Sequence, residues 1–224
     1  MTEFNQNVYE LKNLLNNHQT VRRSFILIDA ALWKACSDTL HQDALIQDKE
    51  LNFVDLGYTL SRKLFKARPT EYANLAEPSV CSFIPTIPQE QICADLGYHL
   101  PLNYLEAEYG SKYYRMRFAV MYWSAVRDVA VMSKTDCVSY FGLSSDLVEL
   151  LASVDSSTVI DYCHGNPKLN QFRLTCPVKD CLSILSLAMN QNISDEARQV
   201  KMTLARLRKT NHCEIFKTKG ALWH

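Results

Sequence analysis

The sequence predicts a mainly α-helical protein with one short extended segment. Apolar residues recur at spacings of three and four over most of the chain, a pattern typical of helices that bury one face. Only residues 169–175 show the period of two that is typical of a strand. The hydrophobic fraction of 47% and the charged fraction of 21% are those of an ordinary globular protein.

Helices and proline breaks define the first half of the chain. The apolar spacing predicts helices over residues 6–20, 22–47 and about 51–67. The prolines that follow remove backbone donors and disfavour helix in the residue before each of them. The predicted organisation is a helical N-terminal region over 1–76, a proline-rich linker over 77–91, a helical domain over 92–211 and a tail over 212–224.

The second half contains clearer helix boundaries. A long helix is predicted from about 112 to 133, and a last one begins at Ser194. Between them lie candidate caps, stops and turns, because short polar side chains favour helix starts and glycine favours helix ends. These residues are Thr135 and Gly142 for one helix, Ser144 for the next, Asp155 or Ser156 for a third that stops at Gly165, and Thr175 with Pro177 for a fourth.

The N-terminus carries no basic segment before an apolar one, so no signal peptide is predicted. The longest apolar runs, 25–32 and 118–126, are far shorter than the roughly 20 residues that a bilayer span requires. We therefore expect a cytoplasmic protein without membrane insertion.

The eight cysteines include no C-x-x-C pair. One cluster, formed by Cys163, His164, Cys176 and Cys181, has the soft ligands that zinc prefers. Its last two cysteines are five residues apart beside an amphipathic helix, whereas zinc knuckles place their ligands in tight pairs on turns. Buried, reduced thiols are the favoured interpretation, and we predict no metal and no other cofactor.

The charge balance is zero overall, with 24 basic and 24 acidic residues. Residues 191–224 carry seven bases against three acids, a net charge of +4, so residues 1–190 sum to −4. A polyanion such as DNA would therefore be expected to contact the C-terminal end.

Two short helices joined by a tight turn, over 144–153 and 156–164, suggest a helix-turn-helix motif. Residues 142–165 nevertheless contain four acidic residues and neither Lys nor Arg. An acidic helix is repelled by phosphates, so a packing hairpin is the preferred interpretation.

The last helix is predicted to bury one apolar stripe and to expose cations. The stripe contains Ile193, Ala197, Val200, Leu204 and Leu207. The cations Arg198, Lys201 and Arg208 share another face, which Arg206 and Lys209 flank. These cations either complement the helix dipole or form a face that contacts phosphates. A second basic run, over 62–68, is interpreted as a solvated face.

Residues 141–174, FGLSSDLVELLASVDSSTVIDYCHGNPKLNQFRL, resemble the FlhD family of flagellar regulator subunits. The shared features are a glycine before a leucine-rich helix, a second helix, a turn and the ending Phe172-Arg173-Leu174. The resemblance extends over 123–142 and 177–207. It implies a helical regulator that forms a homodimer, joins an FlhC-like protein partner and binds double-stranded DNA through its C-terminal helical part.

These observations predict a DNA-binding transcriptional activator subunit, for motility or conjugative transfer genes. Its expected DNA contacts are Arg198, Lys201, Arg206, Arg208 and Lys209. The alternative is an adaptor in a multiprotein assembly, such as a secretion or conjugation machine, that uses the FlhD-like domain for protein contacts. We expect no enzymatic activity and predict no catalytic residue, because no phosphate-binding glycine loop, nucleophile elbow or zinc-protease motif occurs.

Overall fold

The fold is mainly α-helical with one small two-stranded antiparallel sheet, as the sequence predicts. The computed structural model describes residues 23–40, 54, 56–72, 74–76, 80–97, 111–190 and 192–220. The helix predicted over 6–20 lies outside these residues. In the described part of the chain, no helix is long and apolar enough to span a bilayer.

The first half contains short elements around one longer helix. Residues 23–40 are helical throughout and form α1. They are followed by α2 (Gly57–Leu64), α3 (Pro69–Tyr72), β1 (Phe83–Pro85) and α4 (Gln89–Gly97). The stretch predicted as a linker over 77–91 therefore includes β1 and the first turn of α4.

The second half is built from helices in close succession. The long helix predicted over 112–133 is confirmed as α5 (Ser111–Met132). The following elements are α6 (Lys134–Phe141), α7 (Ser145–Ser153), α8 (Ser156–Gly165), a 3-10 turn (Pro167–Asn170), β2 (Phe172–Leu174), α9 (Val178–Ala188) and α10 (Asp195–Gly220). Because α10 continues to Gly220, it includes most of the segment predicted as a tail.

Side-chain caps define the boundaries of the short helices. The Ser144 hydroxyl accepts a hydrogen bond from the Leu147 amide at 3.4 Å, which confirms the predicted cap of α7. Asp155 caps α8 in the same way. The prediction that Thr135 caps α6 is wrong, because Ser133 has the extended backbone of a cap and accepts from the Asp136 amide. Gly142, at φ 67°, ends α6 in the left-handed region that favours glycine.

The core is centred on α5, which packs against α6, α7 and α8. Phe118 of α5 contacts both strands through its ring, with centroids 5.1 Å from Phe83 and 4.9 Å from Phe172. The buried cluster is continuous from Phe25 in α1 to Met202 in α10. Described residues on both sides of the predicted linker therefore share one core.

The small sheet positions the segment that precedes it. Phe83 pairs with Leu174 and Pro85 with Phe172. The Thr175 amide extends the pairing by donating to the Ser82 carbonyl at 3.0 Å. Ser82 is thereby held at the edge of the core, where α1 and α10 also converge.

Candidate functional site

The last helix, α10, presents a different face to the protein from the one its apolar pattern predicts. The stripe expected to be buried is exposed, with 62% of Val200, 54% of Leu204 and 56% of Leu207 accessible to solvent. We call these residues the outer stripe. The residues that face the body of the protein include Met202 and Lys209, both buried. The prediction of a buried stripe is therefore wrong for Val200, Leu204 and Leu207.

Lys209 accounts for much of this reversal. Its side chain is fully buried, and its ammonium group donates to the Leu75 carbonyl and, at 2.9 Å, to the Ser82 hydroxyl. The same hydroxyl donates to a carboxylate oxygen of Asp29 at 2.6 Å, and the Ser82 amide donates to the other oxygen at 2.9 Å. A buried cation and a buried anion are thus joined through one serine. We call Asp29, Ser82 and Lys209 the buried polar cluster.

The buried polar cluster is closed to solvent. All three residues are fully buried, so a substrate could not reach the serine in this arrangement. Cys81 lies beside it, and burial, reinforced by the negative charge of Asp29, raises the pKa of its thiol well above the ordinary value. The cluster acts as a structural tie between α1, the residue before β1 and α10.

Two further cations of α10 are engaged within the protein. The Arg206 guanidinium donates to the Asn74 side-chain oxygen at 2.9 Å and to the Asn74 carbonyl at 3.3 Å. The Arg198 guanidinium lies 3.2 Å from an Asp195 carboxylate oxygen and donates to the Ile193 carbonyl. Both side chains are partly buried.

The remaining two predicted DNA contacts, Lys201 and Arg208, are exposed. They lie seven residues apart, two helical turns, and therefore share one flank of α10. The structure thus places the five predicted cations in three different environments. It brings Lys201 and Arg208 to one surface and leaves Lys209 inside.

The dipole interpretation of the α10 charges holds only at the start of the helix. Asp195 and Glu196 lie in the first turn, where carboxylates complement the dipole. Arg206, Arg208 and Lys209 were expected in the last turn, but α10 continues to Gly220. They lie too far from the C-terminus for its partial charge to explain them.

The short helix pair behaves as the predicted packing hairpin. Leu147 and Leu151 of α7 and Val159 of α8 are buried, and both helices pack against α5. The Arg127 guanidinium of α5 donates to the Val154 carbonyl at 3.3 Å, at the turn between them. The second helix therefore packs one face against α5.

The candidate metal ligands do not form a site in the described part of the chain. There, no group of three or more His, Cys, Asp or Glu side chains is placed to hold a metal ion. Cys176 and Cys181 do lie together, with sulfur atoms 3.4 Å apart. Cys163 is buried separately on α8, where burial raises the pKa of its thiol.

The basic run over 62–68 is only partly a solvated face. Arg62, Lys66 and Arg68 are exposed, as expected. Lys63 instead donates from its ammonium group to the Ser186 hydroxyl of α9 at 2.8 Å.

Sequence reasoning missed the anionic member of the buried polar cluster. Asp29 lies one position after Ile28, within the apolar face predicted for α1. A single carboxylate inside an apolar stripe is the one signal that could have identified it, since a buried charge requires a partner. Nothing in the local sequence identifies that partner, because Ser82 is 53 residues away.

No family model, no curated protein and no solved structure matches this chain. The resemblance to FlhD-like regulators therefore stays a prediction.

Proposed function

We propose that this protein is a non-enzymatic subunit of a multiprotein assembly and that it binds protein through the outer stripe of α10. The observation that carries this proposal is the exposure of Val200, Leu204 and Leu207 in one row. Three large apolar side chains on successive turns of one helix favour contact with another apolar surface.

The electrostatics of α10 also favour protein over DNA as the partner. DNA affinity depends on cations that neutralise phosphates. Arg198 and Arg206 bind groups within the protein, and Lys209 is buried beside Ser82. The chain as a whole carries no net charge, so its total charge provides no attraction for a polyanion.

The test compares two carboxylate substitutions in the tagged full-length chain, purified from its native cells. Leu204→Glu places a charge in the outer stripe. Leu27→Glu is the matched control, because Leu27 on α1 is 70% exposed and lies on another helix. We expect Leu204→Glu to lose specifically bound chains that Leu27→Glu retains. Equal recovery with both variants would refute the proposal, provided that circular dichroism shows both variants folded.

A transcriptional regulator is the second candidate, favoured by the exposure of Lys201 and Arg208 on one flank. A regulator loses duplex affinity steeply as salt rises from low to physiological concentration, whereas an adaptor has little affinity to lose. The double variant Lys201→Glu/Arg208→Glu should abolish such binding if this flank contacts phosphates. Salt-dependent binding that the double variant removes would favour the regulator over the adaptor.

A further inference from the structure

The outer stripe occupies a and d positions of a heptad pattern over residues 197–207 of α10. In a coiled coil, positions a and d of each heptad face the partner helix. With Leu204 at position a, the other a positions of α10 are Ala197, Asn211 and Thr218, and the d positions are Val200, Leu207 and Glu214. Position f lies on the opposite side of the helix. Of the described side chains at f, Met202 and Lys209 are buried, and Asp195 in the first turn is exposed.

This arrangement leaves the a and d face free while f attaches the helix to its own protein. Two copies of α10 could therefore meet along the outer stripe with their bodies on opposite sides of the pair. Asn211 is exposed, and an asparagine at position a favours two strands in one register. The two helices can meet in this way without any change in how α10 packs on its own protein.

Charges beside the stripe indicate the orientation of the two copies. Glu196 occupies position g and Lys201 the following position e, and both are exposed. In a parallel pair, g of one helix lies beside e of the next heptad in its partner, so each Glu196 would meet the other copy's Lys201. Within one helix these residues are five apart and do not face each other, because only positions three and four apart do.

We infer that the occupant of the outer stripe is a second copy of this chain, which packs α10 in parallel against α10 about a two-fold axis. This inference rests on the proposed protein-binding role of the outer stripe and names its partner. The interface is isologous, so each copy supplies the same apolar row and the same complementary charges.

The first experiment measures the mass of the full-length chain by sedimentation equilibrium. We expect a dimer at about 100 µM, because a seam this short favours micromolar affinity. Leu204→Glu should weaken the dimer at least about 100-fold, since it sets two carboxylates against each other in an apolar seam. Leu27→Glu should leave it unchanged.

The second experiment tests orientation by charge exchange. Glu196→Lys alone places lysine against lysine, and Lys201→Glu alone places glutamate against glutamate. Each variant by itself should dimerise about tenfold more weakly than the wild type. An equal mixture of the two should dimerise as the wild type does, because every cross-pair is again opposite in sign. No contact within one chain can produce that recovery.

The outcomes separate this inference from the proposed function. A wild-type chain that stays monomeric overturns the inference, whether another segment of the chain or another protein covers the stripe. If Leu204→Glu still removes bound chains from such a monomer, the protein-binding role stands. A dimer whose affinity is unchanged by Glu196→Lys and by Lys201→Glu overturns the parallel register.

Discussion

The strongest prediction concerns the fully buried ammonium group of Lys209. Lys209→Met removes this charge together with its hydrogen bonds to the Leu75 carbonyl and the Ser82 hydroxyl. The Asp29 carboxylate stays buried and loses the nearby cation. Removing one partner from a buried charge arrangement costs about 3–5 kcal/mol of the free energy of unfolding. We expect a loss in that range, although methionine fills most of the volume.

Urea denaturation followed by tryptophan fluorescence measures this loss. The Lys209 ammonium lies 6.0 Å from the centre of the Trp33 ring, so the buried indole reports on the same region. Lys201→Met is the matched control, since it makes the same substitution at an exposed site of α10 and should change stability by less than about 0.5 kcal/mol.

A double-mutant cycle tests whether the two buried charges act together. Asp29→Asn removes the negative charge and keeps a group that can accept a hydrogen bond from Ser82. The loss for Asp29→Asn/Lys209→Met should fall short of the summed single losses by about 1–3 kcal/mol, because the second substitution removes an already uncompensated charge. Strict additivity, or a loss below about 1 kcal/mol for Lys209→Met, would refute the reasoning.

Three further predictions follow from caps and buried groups. The Thr158 amide holds the pKa of Asp155 at about 2, below its ordinary 3.8, so the stabilisation by this carboxylate is complete above that ordinary value and lost as pH falls towards 2. The melting temperatures of wild type and Asp155→Asn should therefore converge over that range; a constant difference contradicts this. Tyr140→Phe removes a buried 2.9 Å hydrogen bond to the Phe25 carbonyl and should cost about 1 kcal/mol in urea denaturation, with no loss contradicting it. Burial raises the pKa of Cys137 to about 12, so peptide mapping should find it alkylated by iodoacetamide at neutral pH only after denaturation.

The sequence was most informative where structure is local. The periodicity over 112–133 predicted α5 to within one residue, because a long helix with several apolar turns has few competing structures. Ser144 was correct as the cap of α7, and of the two candidates for α8 the cap is Asp155, since both side chains bond to amides three residues on. The prediction of Thr135 as a cap failed because the sequence carries no backbone angles, and these place the cap at Ser133.

The sequence could not predict which face of α10 is buried. The apolar stripe recurs at helical spacing, and so does the mixed face, which contains Met202, Arg206 and Lys209. Hydrophobicity alone favours burying the stripe. The mixed face is buried instead because Lys209 and Arg206 find acceptors at Leu75, Ser82 and Asn74, at separations of 127 to 134 residues.

The sequence by itself determined the helical class, the position of α5 and the cap of α7, because each depends on residues within one or two turns. Only the tertiary structure decided which cations of α10 are free. A buried lysine requires hydrogen-bond acceptors for its ammonium group, and folding, rather than local pattern, brings Leu75 and Ser82 to Lys209.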